Sequence, residues 1–334
     1  MLAPEETSVL DGACKPKSLI VTRHGIQYDV TALLKRGFTT TSAGGFFFIP
    51  YLLQLSAHDL LASMGPAKLQ GVPKESLALG IVFESIFGYT AGIRAVDSVS
   101  RTDFGLLAGL PFLPSPSTQY RYLQSVPARE ALDFQVTLGR RLVELGQITP
   151  GFPVNIDGHN IKTYSRKDMN NFDGPILMFL KKRKDGKYFA LLTSENEMTS
   201  DTAMPTYTKR WRIENFFKDN DFLGMDKLPS LNLNAIQTML SLRLLAFHAL
   251  DNFRYDLGAD YKKKTPEMIH REFIDGVQGR VQLRGNVITV NIYGFEHQTA
   301  AASILTNLDG KLSHAKIDPR IPWPGNRRLH FVFH

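Results

Sequence analysis

The sequence predicts an α/β protein in three parts: a mainly helical amino-terminal region, a mixed segment of strands and helices, and an end built from helix and β-hairpin. Three observations carry that expectation. Apolar stretches of helical length recur between residues 46 and 146. A strictly alternating run, Phe152-Pro-Val-Asn-Ile-Asp157, reads as a strand with Phe152, Val154 and Ile156 on one side. Two apolar-rich pairs of runs flank turn residues, Arg183-Lys-Asp-Gly186 in one case and Gly285-Asn286 in the other, which is the mark of a hairpin.

Taken in order, residues 1–18 are a polar leader and Leu19 to Tyr28 a short extended piece. Thr39 to Gly45 is a turn or helix entry, and Phe46 to Leu61 a buried helix broken near Pro50. Lys74 to Val96 has helical length, although Gly80, Gly88 and Gly92 weaken it. Asp103 to Pro127 reads as helix, stiff connector, helix. Ser115 or Ser117 would cap the second helix, and Ser, Thr, Gln, Tyr and Arg121 would lie on its exposed positions. That pattern suits a helix-turn-helix DNA reader, and equally a helical hairpin with an ordinary surface. Ala128 to Gly146 is an amphipathic helix with Leu132, Val136, Leu138, Leu142 and Leu145 toward the core. Gln147-Ile-Thr-Pro-Gly151 is a boundary, so the parts are 1–150, 151–257 and 258–334. In the second, Leu228–Leu257 is one long helix capped near Ser230, with Leu233, Ile236, Leu240, Leu244, Phe247 and Leu250 inward. The third holds a hairpin over Val281–Ile292 and a tail rich in proline and arginine (Arg320, Arg327, Arg328).

Composition sets bounds. With 334 residues, 43% hydrophobic and 21% charged, the chain can bury a sizeable core. Its one cysteine, Cys14, excludes an internal disulfide and a cysteine-built metal site. The net charge is +7, most of the excess lying in residues 151–334, and suits a polyanionic partner such as nucleic acid. The start, Met1-Leu-Ala-Pro-Glu-Glu, lacks the basic-then-apolar order of a signal peptide. The longest apolar windows, Phe46–Leu55 and Met239–Leu250, are too short for a membrane span, and the second contains Arg243. These features predict a soluble, cytoplasmic protein.

The chemistry centres on Tyr207 to Asp221. At 100° per residue Tyr207, Arg210, Glu214, Lys218 and Asp221 share one helical stripe. Taken alone, that is a solvated face with an Arg–Glu pair. Asp157, at the end of the alternating strand, changes its meaning. Carboxylates from a strand end and a later helix are what two-metal phosphoryl chemistry requires, since they converge on ions that activate the attacking oxygen and steady the leaving one. Read alone, Asp157-Gly158 is a turn.

Asn155-Ile-Asp157-Gly-His-Asn-Ile161 together with Tyr207-x-x-Arg210-x-x-x-Glu214 resembles the DDE transposases of bacterial insertion sequences, in the branch marked by a Tyr-Arg-Glu-Lys signature. The resemblance implies an RNase H-like catalytic core over 151–257, preceded by a DNA-binding region (1–150, with its helix-turn-helix-like piece near 103–127). It implies Asp157 and Glu214 as catalytic ligands of Mg²⁺ or Mn²⁺. Tyr207 and Arg210, with Lys218 and Arg121, would contact DNA. It also implies double-stranded DNA as partner, both transposon inverted-repeat ends and target, a homodimer on that DNA, and a nucleoid-associated location when bound.

Two departures stand out. The signature lysine's position is taken by Asp221, and Lys218 lies one turn earlier on the same stripe. The second catalytic aspartate has no counterpart. Between Asp157 and Glu214 the aspartates are Asp168, Asp173, Asp185 and Asp201. Asp173 and Asp185 precede glycine in turns, Asp201 would cap the helix, and none ends an apolar strand. The expectation is therefore an incomplete core, with the middle of the catalytic domain missing near Met169–Phe172 and catalysis impaired. A catalytically inactive DNA-binding relic, and an unrelated α/β protein with a charged surface stripe, remain the alternatives.

Overall fold

The computed structural model describes residues 19–22, 25–69, 71–89, 101–148, 177–182, 186, 188–193, 197–199, 201–203, 205, 221–225, 231–306 and 308–334. The chain forms two compact units: Met1–Pro150 with Asn220–His334, and Gly151–Asp219.

In the first unit, strands β1 (Leu19–Thr22) and β2 (Gly25–Tyr28) pair antiparallel. Helix α1 (Thr31–Arg36) leads to β3 (Phe38–Thr40). A 3-10 helix, Ala43–Phe48, runs into α2 (Ile49–Gln54), and α3 (Ala57–Ala62) follows. The short pair β4 (Lys68–Leu69) and β5 (Val72–Pro73) precedes α4 (Lys74–Ile86), α5 (Arg101–Leu107), α6 (Pro116–Ser125) and α7 (Ala128–Glu144). The second unit contains the antiparallel hairpin of β6 (Leu177–Lys182) and β7 (Tyr188–Thr193). The chain then continues in the first unit with α8 (Leu233–Asp256), α9 (Pro266–Phe273), β8 (Gly279–Arg284), β9 (Val287–Ile292), α10 (Gln298–Leu305), α11 (Leu308–His314) and β10 (Arg328–Phe333). Among the described residues no helix is long and apolar enough to cross a membrane.

Helix α8 is the axis of the first unit. It is buried on most sides, as expected of a helix apolar around most of its circumference. Helices α2, α4, α6, α7 and α9 pack on it. Its start differs from the expected one. Asn232, not Ser230, is the cap, with its side-chain oxygen accepting from the Ala235 N–H at 3.1 Å. The buried set also differs: Leu233 is exposed, Ile236, Leu240 and Leu244 are half-buried, and Ala235, Met239, Leu242, Leu245, Ala246, Phe247, Ala249, Leu250 and Phe253 are buried. With neighbours on several sides, α8 has no single inward stripe for a 3.6-residue period to pick out.

Helix α7 ends where the sequence places its end, at Gly146 with φ +70°, but its inward face is shifted. Ala131, Phe134, Leu138 and Leu142 are buried against the core, whereas Leu132 and Val136 face solvent. Two apolar stripes run along this helix and the expectation merged them. Pro50 does not break the Phe46–Leu61 run. It sits in the first turn of α2, where its missing N–H costs nothing. The break falls at Ser56, which adopts φ +54° between α2 and α3.

The sheet has the order β10-β9-β8-β3. The β8–β9 hairpin forms as expected, with Gly285 at φ +60° in its two-residue turn. Strand β10 lies parallel to β9, and α10 and α11 lie in the crossover that a parallel pair needs. The expected basic tail is thus an ordered strand with its arginines engaged. Arg327 donates to Thr31 Oγ1 at 2.7 Å, Arg328 meets Asp309 at 3.3 Å, and Arg320 pairs with Asp318.

Aromatic rings join helices to sheet, with Phe47 of the 3-10 helix 5.5 Å from Phe331 of β10 between ring centroids, and they join helices to one another. Phe253 of α8 lies 4.9 Å from Phe48, 5.6 Å from Tyr51 and 5.2 Å from Phe273 between ring centroids. Gly44 lets the 3-10 helix reach this cluster, because a Cβ there would stand 2.2 Å from the Phe273 carbonyl oxygen. Replacing Phe253 with Ala is expected to lower stability by about 3–5 kcal/mol, read from urea denaturation midpoints, because so enclosed a site cannot collapse around the void.

Candidate active site

Of the residues singled out in the sequence, Asp157, Tyr207, Arg210, Glu214 and Lys218 lie outside the described residues, as do Asp168, Asp173 and Asp185. Arg121, Asp201 and Asp221 lie within them. Asp201 is exposed and occupies a first helical turn rather than the cap. Thr199 takes the capping place, its carbonyl accepting from the Ala203 N–H at 2.9 Å and its backbone N–H donating to Thr202 Oγ1 at 3.1 Å.

Helix α6 bears Arg121. Ser115 caps it, with Oγ accepting from the Thr118 N–H at 3.4 Å, as one of the two expected serines. Its exposure differs from the expected reading face. Thr118, Gln119, Tyr122 and Leu123 are buried, since α6 packs against α4 and α8. Ser117, Arg121 and Ser125 are exposed, with Tyr120 and Gln124 half-buried. The Arg121 Nε donates to the Ser117 carbonyl at 3.3 Å, which lays its side chain back along the helix.

Gln119 turns inward because a buried acid awaits it. Its Nε2 donates to Glu84 Oε1 of α4 at 2.6 Å. Burial pushes the Glu84 carboxyl up to about 8, with the Gln119 hydrogen bond and the charge of Arg243 pulling the other way. Arg243 of α8 is buried too, and its Nη1 donates to the Gly224 carbonyl. Gly224 lies in the turn Asp221–Met225, ten residues after Glu214 in sequence. The same turn is held by the buried Leu223 and by Phe222, whose ring stands 5.2 Å from His270. Gly88, at φ +67°, makes room for that ring, since a Cβ there would come within 2.7 Å of it. Three helices thus contribute a carboxyl, an amide and a guanidinium to one buried cluster, and its guanidinium reaches the turn where the chain re-enters the first unit. Sequence reading passed over this cluster. Its signal was present in Arg243, a cation within the apolar Met239–Leu250 window, which had to find an acceptor on folding.

Asp221, at the position where the resemblance expects a lysine, is exposed, and its carbonyl accepts from the Gly224 N–H at 2.9 Å. Elsewhere in this unit a cavity of about 450 Å³ opens among Gln54, Gln147, His248, Asp251, Asn252 and Tyr255. Burial holds His248 at about 4, hence neutral at physiological pH, and Asp251 is paired with Arg254. Among the described residues no group of three or more His, Cys, Asp or Glu is arranged to hold a metal ion.

Residues 128–247 match the family model of the transposase DDE domain. The match supports a DDE transposase. It begins at the first residue of α7, runs through most of α8, and encloses Asp157, Glu214 and the intervening segment. No curated protein and no solved structure matches the chain.

The raised Glu84 carboxyl has a thermodynamic consequence. Between its ordinary value near 4.5 and its folded value near 8, the folded state keeps a proton that the unfolded state has lost. Stability therefore falls as pH rises through that window, by at most about 1.4 kcal/mol per pH unit. Denaturation midpoints measured from pH 5 to pH 8 should decline in the wild type and decline less in Glu84→Gln.

Proposed function

We propose that this protein is a transposase that binds transposon ends and acts on their phosphodiester bonds through Asp157 and Glu214. The observation that carries the reading is the DDE-domain match over 128–247, which encloses both acids. The core over 151–257 would be RNase H-like, and the flanking regions 1–150 and 258–334 would serve DNA binding and support. Water would attack the phosphorus at the transposon end, releasing the 3′-oxygen as a hydroxyl and leaving a 5′-phosphate. That hydroxyl would then attack a phosphodiester of the target, forming one ester bond as another breaks. Carboxylates are hard oxygen donors that suit Mg²⁺ or Mn²⁺, and a bound ion would polarise the phosphoryl oxygens. Tyr207, Arg210 and Lys218 would steady the DNA backbone, with Arg121 adding a phosphate contact. Two copies would act together on paired ends.

A second reading is a DNA-binding relic without catalysis. It is favoured by Asp201, the one aspartate between the two acids among the described residues, which lies in a helical turn and not at a strand end. The two readings part on one experiment: incubation of the full chain with a duplex carrying the element's terminal repeat and Mg²⁺. Nicking abolished by Asp157→Asn and by Glu214→Gln supports a working enzyme. Salt-sensitive binding without nicking identifies the relic, and the absence of both overturns the transposase reading. For Arg121→Ala, duplex affinity should fall similarly on any sequence, and the slope of log affinity against log salt should shrink by about one unit.

A further inference from the structure

Helix α7 carries an apolar stripe that its own fold leaves uncovered. Leu132 is 45% exposed, Val136 53% and Val143 38%. With Gly139 these positions follow the 4-3-4 spacing of a heptad seam, lying within roughly 60° of one another and about a third of a turn from the buried stripe. A Cβ built on Gly139 meets nothing within 4 Å, so the seam has a recess beside Val136.

The charges flanking the seam name its occupant. Asp133 follows Leu132 and Arg140 follows Gly139, so both stand on the same solvent side. When two copies of α7 run antiparallel, Leu132 of one copy meets Val143 of the other and Val136 meets Gly139. These flanks then face each other, with Asp133 of each copy opposite Arg140 of the other, giving two equivalent ion pairs about a two-fold axis. A parallel pair would instead set Arg140 against Gln135 and Asp133 against Ala128, with no charge matched. Arg129, already 3.1 Å from Asp133 within its own helix, closes the seam at its amino-terminal end. We propose that α7 is a self-association surface through which two copies of this chain pair antiparallel in the absence of DNA. The pairing gives a site to the homodimer proposed above, yet does not depend on catalysis, so its test is separate from the nicking assay. A helix of 17 residues is about 25 Å long, and one such pair buries less than the standard interface, so the association is weak.

Sedimentation of the full chain without DNA, from low to several hundred micromolar, tests the proposal. A monomer–dimer equilibrium is expected, weakened at least tenfold by Val136→Asp. Asp133→Arg and Arg140→Asp should each weaken it about threefold to tenfold, and the double swap Asp133→Arg with Arg140→Asp should recover most of that loss. The disturbed contact to Arg129 is common to monomer and dimer and largely cancels from the association constant. All three substituted positions are exposed, and far-ultraviolet circular dichroism confirms the helix in each of the four variants. A chain that stays monomeric throughout, a dimer indifferent to Val136→Asp, or a double swap no stronger than the single ones would each overturn the proposal.

Discussion

The need to cover α8 governs the first unit. A 24-residue helix with apolar side chains around most of its circumference cannot stand at a surface, and the helices that hide it come from both sides of it in sequence. Residues 49–144 contribute α2, α4, α6 and α7, and residues 266–273 contribute α9. The polar residues on α8 are buried with it and must be satisfied there. Ser241 donates to the Ala131 carbonyl at 2.9 Å and accepts from Gln135 at 3.0 Å, Thr238 donates to the Asn234 carbonyl at 2.7 Å, and Arg243 reaches Gly224. The bonds of Ser241 and Arg243 to other elements fix which face of α8 meets which neighbour, which apolar burial alone would leave loosely determined.

One consequence concerns the segment that carries the proposed chemistry. The chain leaves the first unit after Pro150 and rejoins it at Asn220. Both junctions adjoin firm structure. Before the first, the Gln147 N–H donates to the Leu142 carbonyl at 2.9 Å as α7 ends. After the second, Arg243, Leu223 and Phe222 hold the turn 221–225. The DDE-domain match spans both units, taking in α7, the segment 151–219 and most of α8. Helix α7, which the sequence assigned to the separate region 1–150, therefore falls within the matched extent.

How much was legible followed from how local each determinant is. The end of α7 at Gly146, the cap at Ser115 and both hairpins depend on a few adjacent residues, and each formed as read. The inward face of α7 depends on which of two apolar stripes the rest of the fold selects, and that information lies in α8 and α3. Gln119 reads as a surface residue until Glu84, 35 positions earlier, becomes its partner. Strand β10 was missed because proline and arginine around it suggest a loop. Its partner β9 supplies the ladder, and Trp323 ties the preceding segment down by donating to the Leu107 carbonyl at 2.8 Å. For the site, the sequence pattern named Asp157, Tyr207, Arg210 and Glu214, all outside the described residues, while the buried Glu84–Gln119–Arg243 cluster has no local pattern.

The same distinction bears on charge. A net charge of +7 invites a polyanion, but a formal count treats every cation as free. In the folded chain many of the described cations already have internal acceptors. Arg320 lies against Asp318, Arg328 against Asp309, Arg254 against Asp251, Lys264 against Glu272 and Arg129 against Asp133. At an exposed site each such pair contributes little stability, yet it cancels most of the field the cation would project beyond a Debye length. Net charge therefore says little about where DNA would lie. The reading of nucleic acid as partner rests on the Tyr207–Glu214 pattern and the family match that encloses it, and a salt-dependent affinity would have to arise from the particular cations of that pattern rather than from the protein's overall basic balance.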